Sequence, residues 1–228
     1  MSFYIVPTPI GNLEDMTLRA IRVLKECDLI LCEDTRETRK LLNHYEIKTM
    51  TQAYHAQSKL SKIDSIIAML ADGRNIALVS DAGTPAISDP GSLLIKKIRE
   101  HFSLGNSIPK LEIISLPGPS ALTSAFAASG ITGGEFTFLG FLPHKKGRET
   151  LFKEIADGDR AYVFYESPHR LLKSLESLQK FAEGKRVFVA KEISKIYEEY
   201  FKGSAEEVLS FFAKNPDKLR GEFVVIVS

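Results

Sequence analysis

Two short polar clusters, a basic run and one long loop carry the side chains best suited to chemistry. Glu33-Asp34-Thr35-Arg36 puts two acids and a base directly after the apolar run Leu29-Ile30-Leu31-Cys32. Tyr165-Glu166-Ser167-Pro168-His169-Arg170 gathers polar and aromatic groups at the end of the run that begins Ala161-Tyr162-Val163-Phe164. Carboxylates and cations held at strand ends can move protons or stabilise developing charge. Each cluster also meets a plainer need, since Asp, Ser and Thr cap a following helix and acids suit its N-terminus. His144, Lys145, Lys146 and Arg148 form the basic run, just before a helical pattern. Such a run serves either as a solvated face or as a set of phosphate contacts.

The long loop is Ser80-Asp81-Ala82-Gly83-Thr84-Pro85-Ala86-Ile87-Ser88-Asp89-Pro90-Gly91, which follows Ile76-Ala77-Leu78-Val79. It exceeds the roughly two to six residues of an ordinary βα connection. Its small residues, glycines and prolines let backbone approach a ligand closely. The same grammar recurs. Tyr4-Ile5-Val6 leads into Pro7-Thr8-Pro9-Ile10-Gly11-Asn12, and Leu111-Glu112-Ile113-Ile114-Ser115 leads into Leu116-Pro117-Gly118-Pro119-Ser120. Four apolar strands thus end in special loops, each followed by a helical pattern. Right-handed parallel connections bring such loops to one sheet edge, outside the carboxyl ends of the strands where ligands bind.

The elements that must position these loops are legible from periodicity. Thr17 caps a helix to Cys27, with Leu18, Ile21 and Leu24 on one face. Further helices are expected over about 35–45, 58–71 and 92–102, the one over 58–71 ending before Gly73. This βα alternation predicts a mostly parallel sheet. After Pro117-Gly118-Pro119 the pattern changes. A small-residue helix covers 120–129, and then aromatic and β-branched strands follow at 136–141, 161–165, 187–190, 197–201 and 222–227, the composition of an antiparallel or mixed sheet. Ser167-Pro168 opens a helix to about Ala182, and Ser204-Ala205-Glu206-Glu207 is a capping box for a helix to about Lys214. Two domains are expected, 1–118 and 119–228.

Composition excludes several classes. At 44% hydrophobic and 26% charged, the 228-residue chain can bury an adequate core. No apolar run reaches the roughly 18 residues of a membrane span, and the N-terminus reads as a strand and not a signal peptide, so a cytoplasmic protein is expected. Cys27 and Cys32 read as reduced core residues. A net charge of +1 does not announce a nucleic-acid partner, although a local basic patch suffices for one. The loop after the first strand holds one glycine, which argues against a G-x-G-x-x-G dinucleotide site, and no P-loop or metal-ligand spacing occurs.

Taken in order, these motifs resemble one family across essentially the whole chain. They are Thr8-Pro9-Ile10-Gly11-Asn12-Leu13-Glu14-Asp15, Cys32 to Arg36, Ser80 to Pro85 with Ser88 to Gly91, Pro117 to Ala121, Phe164 to Arg170, and Gly221-Glu222-Phe223. The family is the small-subunit ribosomal RNA ribose 2′-O-methyltransferases, a branch of the tetrapyrrole methylase superfamily. Tyr54-His55-Ala56-Gln57-Ser58 resembles a divergent form of a further family motif.

The resemblance implies a class III S-adenosylmethionine (AdoMet) methyltransferase. Its two α/β domains are a parallel N-terminal sheet and a mixed C-terminal sheet, with the cofactor in the cleft between them. It also implies a homodimer, and a substrate cytidine ribose in the decoding region of 16S ribosomal RNA within the small subunit. The implied cofactor residues are Pro9, Ile10, Asp81, Gly83, Thr84, Ser120, Ala121 and Tyr165. A ribose hydroxyl is a poor nucleophile, and Asp34, Arg36, Glu166 and Lys191 are the candidates for assisting it, with no role assigned among them. Contacts to RNA are expected from Arg36, Arg39 and Lys40, which share one helical face, and from His144, Lys145, Lys146, Arg148 and Arg170. No metal and no membrane are expected. The alternatives are a methylase of small tetrapyrrole or corrinoid precursors and a non-catalytic RNA-binding protein of the same fold.

Overall fold

The computed structural model describes residues 1–103 and 110–228. The chain divides into two compact units, Met1–Ser120 and Ala121–Ser228.

The first unit is a five-stranded sheet of β1 (Ser2–Ile5), β2 (Leu29–Cys32), β3 (Thr51–Ala53), β4 (Ile76–Leu78) and β5 (Glu112–Ser115). Their order is β3-β2-β4-β1-β5, and every pairing is parallel. Four helices connect them: α1 (Leu18–Glu26), α2 (Thr35–His44), α3 (Leu60–Ala71) and α4 (Ser92–Ser103). Side chains alternate across the strands. Val6, Ala77 and Val79 pack with Ala20, Val23 and Leu24 of α1 and Leu42 of α2. Phe3, Ile76 and Leu78 pack on the other face with Ile63, Ile66 and Leu70 of α3 and Leu94 and Ile98 of α4. Each such buried Val, Leu, Ile or Phe side chain contributes about 1.5–3 kcal/mol.

This layering has a consequence for function. The helix after β1 covers one face and the helix after β4 covers the other, although β1 and β4 are neighbours. Their outgoing loops therefore part at the carboxyl edge, which makes a topological switch point and its crevice.

The second unit has β6 (Phe136–Phe141), β7 (Ala161–Glu166), β8 (Arg186–Lys191), β9 (Glu199–Ser204) and β10 (Phe223–Val227), in the order β6-β7-β10-β8-β9. β6 and β7 are parallel; β10 runs antiparallel to both β7 and β8. The carboxyl ends of β6, β7 and β8 and the amino end of β10 therefore share one edge. One face is covered by α6 (Arg148–Asp157), α7 (Pro168–Phe181) and α8 (Ala205–Lys214), and the other by α5 (Ala121–Ser129).

Most helix boundaries follow the expected caps. The Thr17 side chain accepts from Ala20 N at 3.1 Å, and Ser204 and Glu207 form the full capping box. Four expectations are corrected. Leu18 is 85% exposed, because the buried stripe of α1 is Ala20, Val23 and Leu24. α3 begins at Leu60, since Ser58 is used in a turn with His55. The strand expected over 197–201 is β9 at Glu199–Ser204. β3 was not foreseen, being three residues of weak pattern that nonetheless pair with β2.

Candidate cofactor site and substrate edge

At the switch point, the loops after β1 and β4 are tied together by backbone. Thr8 N donates to Gly83 O and Gly83 N donates to Thr8 O, each at 2.9 Å. The buried Thr8 hydroxyl donates to Ser80 O at 2.9 Å, and the Ser80 hydroxyl donates to Gly83 O at 3.0 Å. Thr84 Oγ1 donates to Pro119 O at 3.1 Å, which joins the β4 loop to the loop after β5. Asp34 N, after β2, donates to Asp81 Oδ1 at 3.3 Å. Loops from four strands thus meet on one edge through named bonds.

Backbone conformation opens this edge to a ligand. Gly83 has φ +81°, and a Cβ there would lie 3.4 Å from Ile10 Cγ2 and 3.9 Å from Pro119 O. At Gly118 a Cβ would lie 2.8 Å from Pro7 Cβ, so only glycine lets those two loops approach. Ala86 and Ser88, with φ of +68° and +63°, hold a left-handed conformation that non-glycine residues rarely adopt. Such strain persists where surrounding structure over-determines it, often at ligand sites.

The electrostatics of the edge are acidic. Burial, with the charges of Glu33 and Asp81 added, pushes the Asp89 carboxyl up to about 6. His55, just beyond β3, has a buried Nδ1 with no hydrogen-bond partner among the described residues.

The sequence-predicted residues fall as follows. Pro9, Ile10, Asp81, Gly83 and Thr84 lie in the two bridged loops. Ser120 closes the first unit; Ala121 opens α5 in the second. Tyr165 is on β7, edge-on to the rings of Phe138 and Phe141. Asp34 is the N-cap of α2, accepting from Arg36 N at 2.8 Å and pairing with the Arg36 guanidinium at 2.6 Å. The Arg36 guanidinium hydrogen bonds hold the Asp34 carboxyl well below the usual carboxylate range. On the exposed face of α2, Lys40 pairs with Glu37 at 2.7 Å and Arg39 donates to Thr51 Oγ1 at 3.2 Å.

In the second unit, Glu166 is fully buried at its side chain and ends β7. It accepts from Ser174 Oγ at 2.5 Å and from its neighbour Ser167 N at 2.9 Å. Arg170 Nε lies 3.2 Å from its Oε1, and Arg148 Nη2 lies 3.8 Å from its Oε2. Both guanidiniums reach onward to the basic loop. Arg148 donates to Pro143 O at 3.2 Å and to Ser174 Oγ at 2.7 Å, and Arg170 donates to Leu142 O at 2.5 Å. His144, Lys145 and Lys146 stand exposed on the segment so held. Arg148 and Arg170, expected as RNA contacts, are thus committed to internal partners, and Glu166 has no open surface from which to act on a substrate.

Lys191 ends β8 on the same edge, aligned with Phe223 as Glu166 is. It is 5% exposed and donates to Tyr197 O and Glu199 Oε2, both at 3.3 Å. The features sequence reasoning missed are the buried Thr8 hydroxyl, the orphaned His55 nitrogen, and the ties among Glu192, Lys195 and Glu222. Thr8 between two prolines was the available signal for the first. The ties of Glu222 to Glu192 and Lys195 span about thirty residues, and the burial of the His55 nitrogen is set by the fold.

Comparison with known proteins places this geometry in a class. Residues 2–209 match the family model for tetrapyrrole (corrin/porphyrin) methylases, and the chain belongs to that family. The cobalt-precorrin-4 methyltransferase CbiF superposes with a TM-score of 0.68 at 13% identity, covering 99% of this chain and 94% of that one. Uroporphyrin-III C-methyltransferase from Thermus thermophilus, complexed with S-adenosylhomocysteine, gives 0.65 at 16% identity over 100% and 97% of the two chains. Both likenesses are of fold.

Sequence relatives are nearer and point to one branch. A ribosomal RNA small subunit methyltransferase I from Thermotoga maritima is 45% identical over 98% of this chain and 96% of its own. Proteins of the same name from Bacillus subtilis and Escherichia coli O157:H7 are 43% and 42% identical over 98% of this chain, and 74% and 76% of theirs. The expected resemblance is borne out, and within the tetrapyrrole methylases this chain belongs with the methyltransferase I branch. AdoMet is the cofactor expected of such a chain. The switch-point loops fit it: glycine-permitted backbone approach suits an adenosine, and the acidic set Glu33, Asp81 and Asp89 suits the positive sulfonium and ammonium groups.

Among the described residues, no helix is long and apolar enough to cross a membrane, and no group of three potential metal ligands occurs. Cys27 and Cys32 are buried free thiols, and burial pushes Cys27 up to about 11.

Proposed function

We propose that this chain transfers a methyl group from AdoMet to the 2′-oxygen of a cytidine ribose in the decoding region of small-subunit ribosomal RNA. The observation that carries the RNA reading is near-full-length identity of 40–45% to proteins named for that ribosomal substrate class. The exposed His144, Lys145 and Lys146 on a buttressed loop support it, since phosphate contacts come mainly from such cations.

AdoMet supplies an electrophilic methyl group on a sulfonium. In this reading the Thr8–Gly83 bridge and the Thr84–Pro119 bond fix the cradle, with Pro9, Ile10, Asp81, Ser120, Ala121 and Tyr165 as further contacts. Rigid presentation matters because in-line displacement depends on orientation, which supplies roughly 7–11 kcal/mol of such barriers. Asp34, half-buried, and Arg36, exposed, stand at the same edge and remain the candidates for assisting the hydroxyl. Glu166 and Lys191 act indirectly, as buried anchors of substrate-side loops. The protein works as a cytoplasmic homodimer.

The test is methylation of assembled small subunits against a tetrapyrrole precursor, with labelled AdoMet. Label on a cytidine ribose supports the reading; label only on the precursor replaces it with the small-molecule alternative.

A further inference from the structure

The β8–β9 connection, Glu192 to Glu198, is held in place by its polar groups and by Ile193 packed on the core, while Ile196 and Tyr197 face outward. Glu192 N donates to Glu222 O and Glu222 N donates back to Glu192 Oε1, each at 2.9 Å. Lys195 pairs with Glu192 at 2.8 Å and with Glu222 at 2.7 Å. Glu198 accepts from Ser194 N, and the buried Lys191 ammonium grips Tyr197 O. Gly221, at φ +89°, leaves room for Glu192, whose Cδ would lie 2.2 Å from a Cβ there. Two non-glycine residues, Glu192 and Ser194, are held left-handed at φ +52° and +69°. A loop strained and tied in this way is rigid. What it displays is Ile196, 90% exposed, and Tyr197, 70% exposed.

An aromatic ring presented on a rigid loop is an efficient stacking platform, because little freedom is lost on binding. The surroundings indicate what stacks on it. The loop leaves the same sheet edge that carries the exposed His144, Lys145 and Lys146, and Arg220 is exposed at the approach to β10. Among the described residues no carboxylate pairs with Lys145, Lys146 or Arg220, whereas Glu192, Glu198, Glu199 and Glu222 all have partners within the loop cluster. The edge therefore combines uncompensated cations with outward aromatics, Phe141, Tyr200 and the most exposed of them, Tyr197. Phosphates beside a splayed base are the ligand that uses both.

We propose that Tyr197 is a binding residue for the RNA substrate, stacking on an unpaired base near the methylated nucleotide, with Ile196 beside it. Glu192, Lys195, Glu222 and Lys191 are the positioning residues that hold the platform. The inference rests on the RNA reading above and adds the place where a base is held.

The chain contains no tryptophan, so Tyr197→Trp creates a single fluorescent reporter at the platform. A short cytidine-containing single-stranded RNA should quench that emission, and an equal concentration of polyphosphate should not. With small subunits as substrate, Tyr197→Ala should raise KM by roughly ten-fold or more, in line with loss of one stacked base, and leave AdoMet affinity unchanged. Tyr197→Phe should restore KM to near the parent value, which a hydroxyl-dependent role would not allow. The proposal is overturned if the parent methylates small subunits while Tyr197→Ala keeps the parent KM and the tryptophan is not quenched. It is equally overturned if Tyr197→Ala converts a dimer to a monomer in sedimentation, since a second copy of the chain then covers the platform.

Discussion

Thr8 and Gly83 exchange both of their backbone hydrogen bonds at 2.9 Å, although they lie in loops that leave neighbouring strands for opposite faces of the sheet. The pair closes the floor of the crevice that a topological switch point creates. The glycine is needed there because a left-handed conformation costs other L-residues about 1–2 kcal/mol.

The first prediction concerns that floor. Gly118→Ala forces a Cβ to 2.8 Å from Pro7 Cβ, so the loops after β5 and β1 must separate. Gly83→Ala meets Ile10 Cγ2 only at 3.4 Å but is strained at φ +81°. Calorimetry should show AdoMet affinity falling about ten-fold or more, a loss of at least ~1.4 kcal/mol, for Gly118→Ala, with a smaller loss for Gly83→Ala. Parent-like affinity in both variants would show that the cofactor lies elsewhere.

Asp89 gives a pH dependence with a definite sign. Its folded-state value of about 6 lies above the ordinary 3.8, so the folded chain binds this proton more tightly than the unfolded chain does. Ionised Asp89 therefore opposes folding; the cost is absent below about pH 4 and complete above about pH 6. A cation bound beside it favours the ionised form. AdoMet binding should tighten as pH rises from about 5 to 7, and Asp89→Asn should flatten that profile while raising stability at neutral pH. A profile unchanged by the substitution would remove Asp89 from the site.

Glu166 carries a third prediction. Glu166→Ala leaves Arg148 and Arg170 partly buried without their counter-charge. Removing one member of a buried ion pair costs about 3–5 kcal/mol, and urea denaturation should find a loss in that range. Glu166→Gln keeps the shape and should cost less. If either variant is as stable as the parent, the cluster does not buttress the basic loop.

The fourth prediction tests the basic loop itself. Lys145→Glu with Lys146→Glu should weaken binding to small subunits and leave AdoMet binding intact. Each lost phosphate contact should flatten the salt slope by roughly 0.7–0.9. A double variant that methylates subunits as well as the parent at moderate salt would make the loop a solvated surface.

How much of this was legible in the sequence depends on range. The four special loops and their common edge followed from apolar runs and from the handedness of parallel connections, because both are local or nearly universal. Caps such as Thr17 and Ser204 were readable for the same reason. The buried face of α1 was misread at Leu18, since three spaced apolar residues fit a helical stripe whichever side the sheet takes. β3 was invisible because its pairing with β2, and not its composition, makes it a strand. The fates of Arg148, Arg170 and Lys191 were also hidden. A cation in a motif looks the same whether it meets solvent or a buried carboxylate, and only the fold brought Glu166 and Glu199 beside them.

The central claim is tested most directly by transferring label from AdoMet to purified, assembled small subunits and locating the methyl group by nuclease digestion and mass spectrometry. The account predicts one methyl group per subunit, on the ribose of a cytidine in the decoding region, with slower transfer by Gly118→Ala when AdoMet is held below that variant's Kd. Methylation of a base, methylation only of a tetrapyrrole precursor, or no transfer by a chain that binds AdoMet would contradict it.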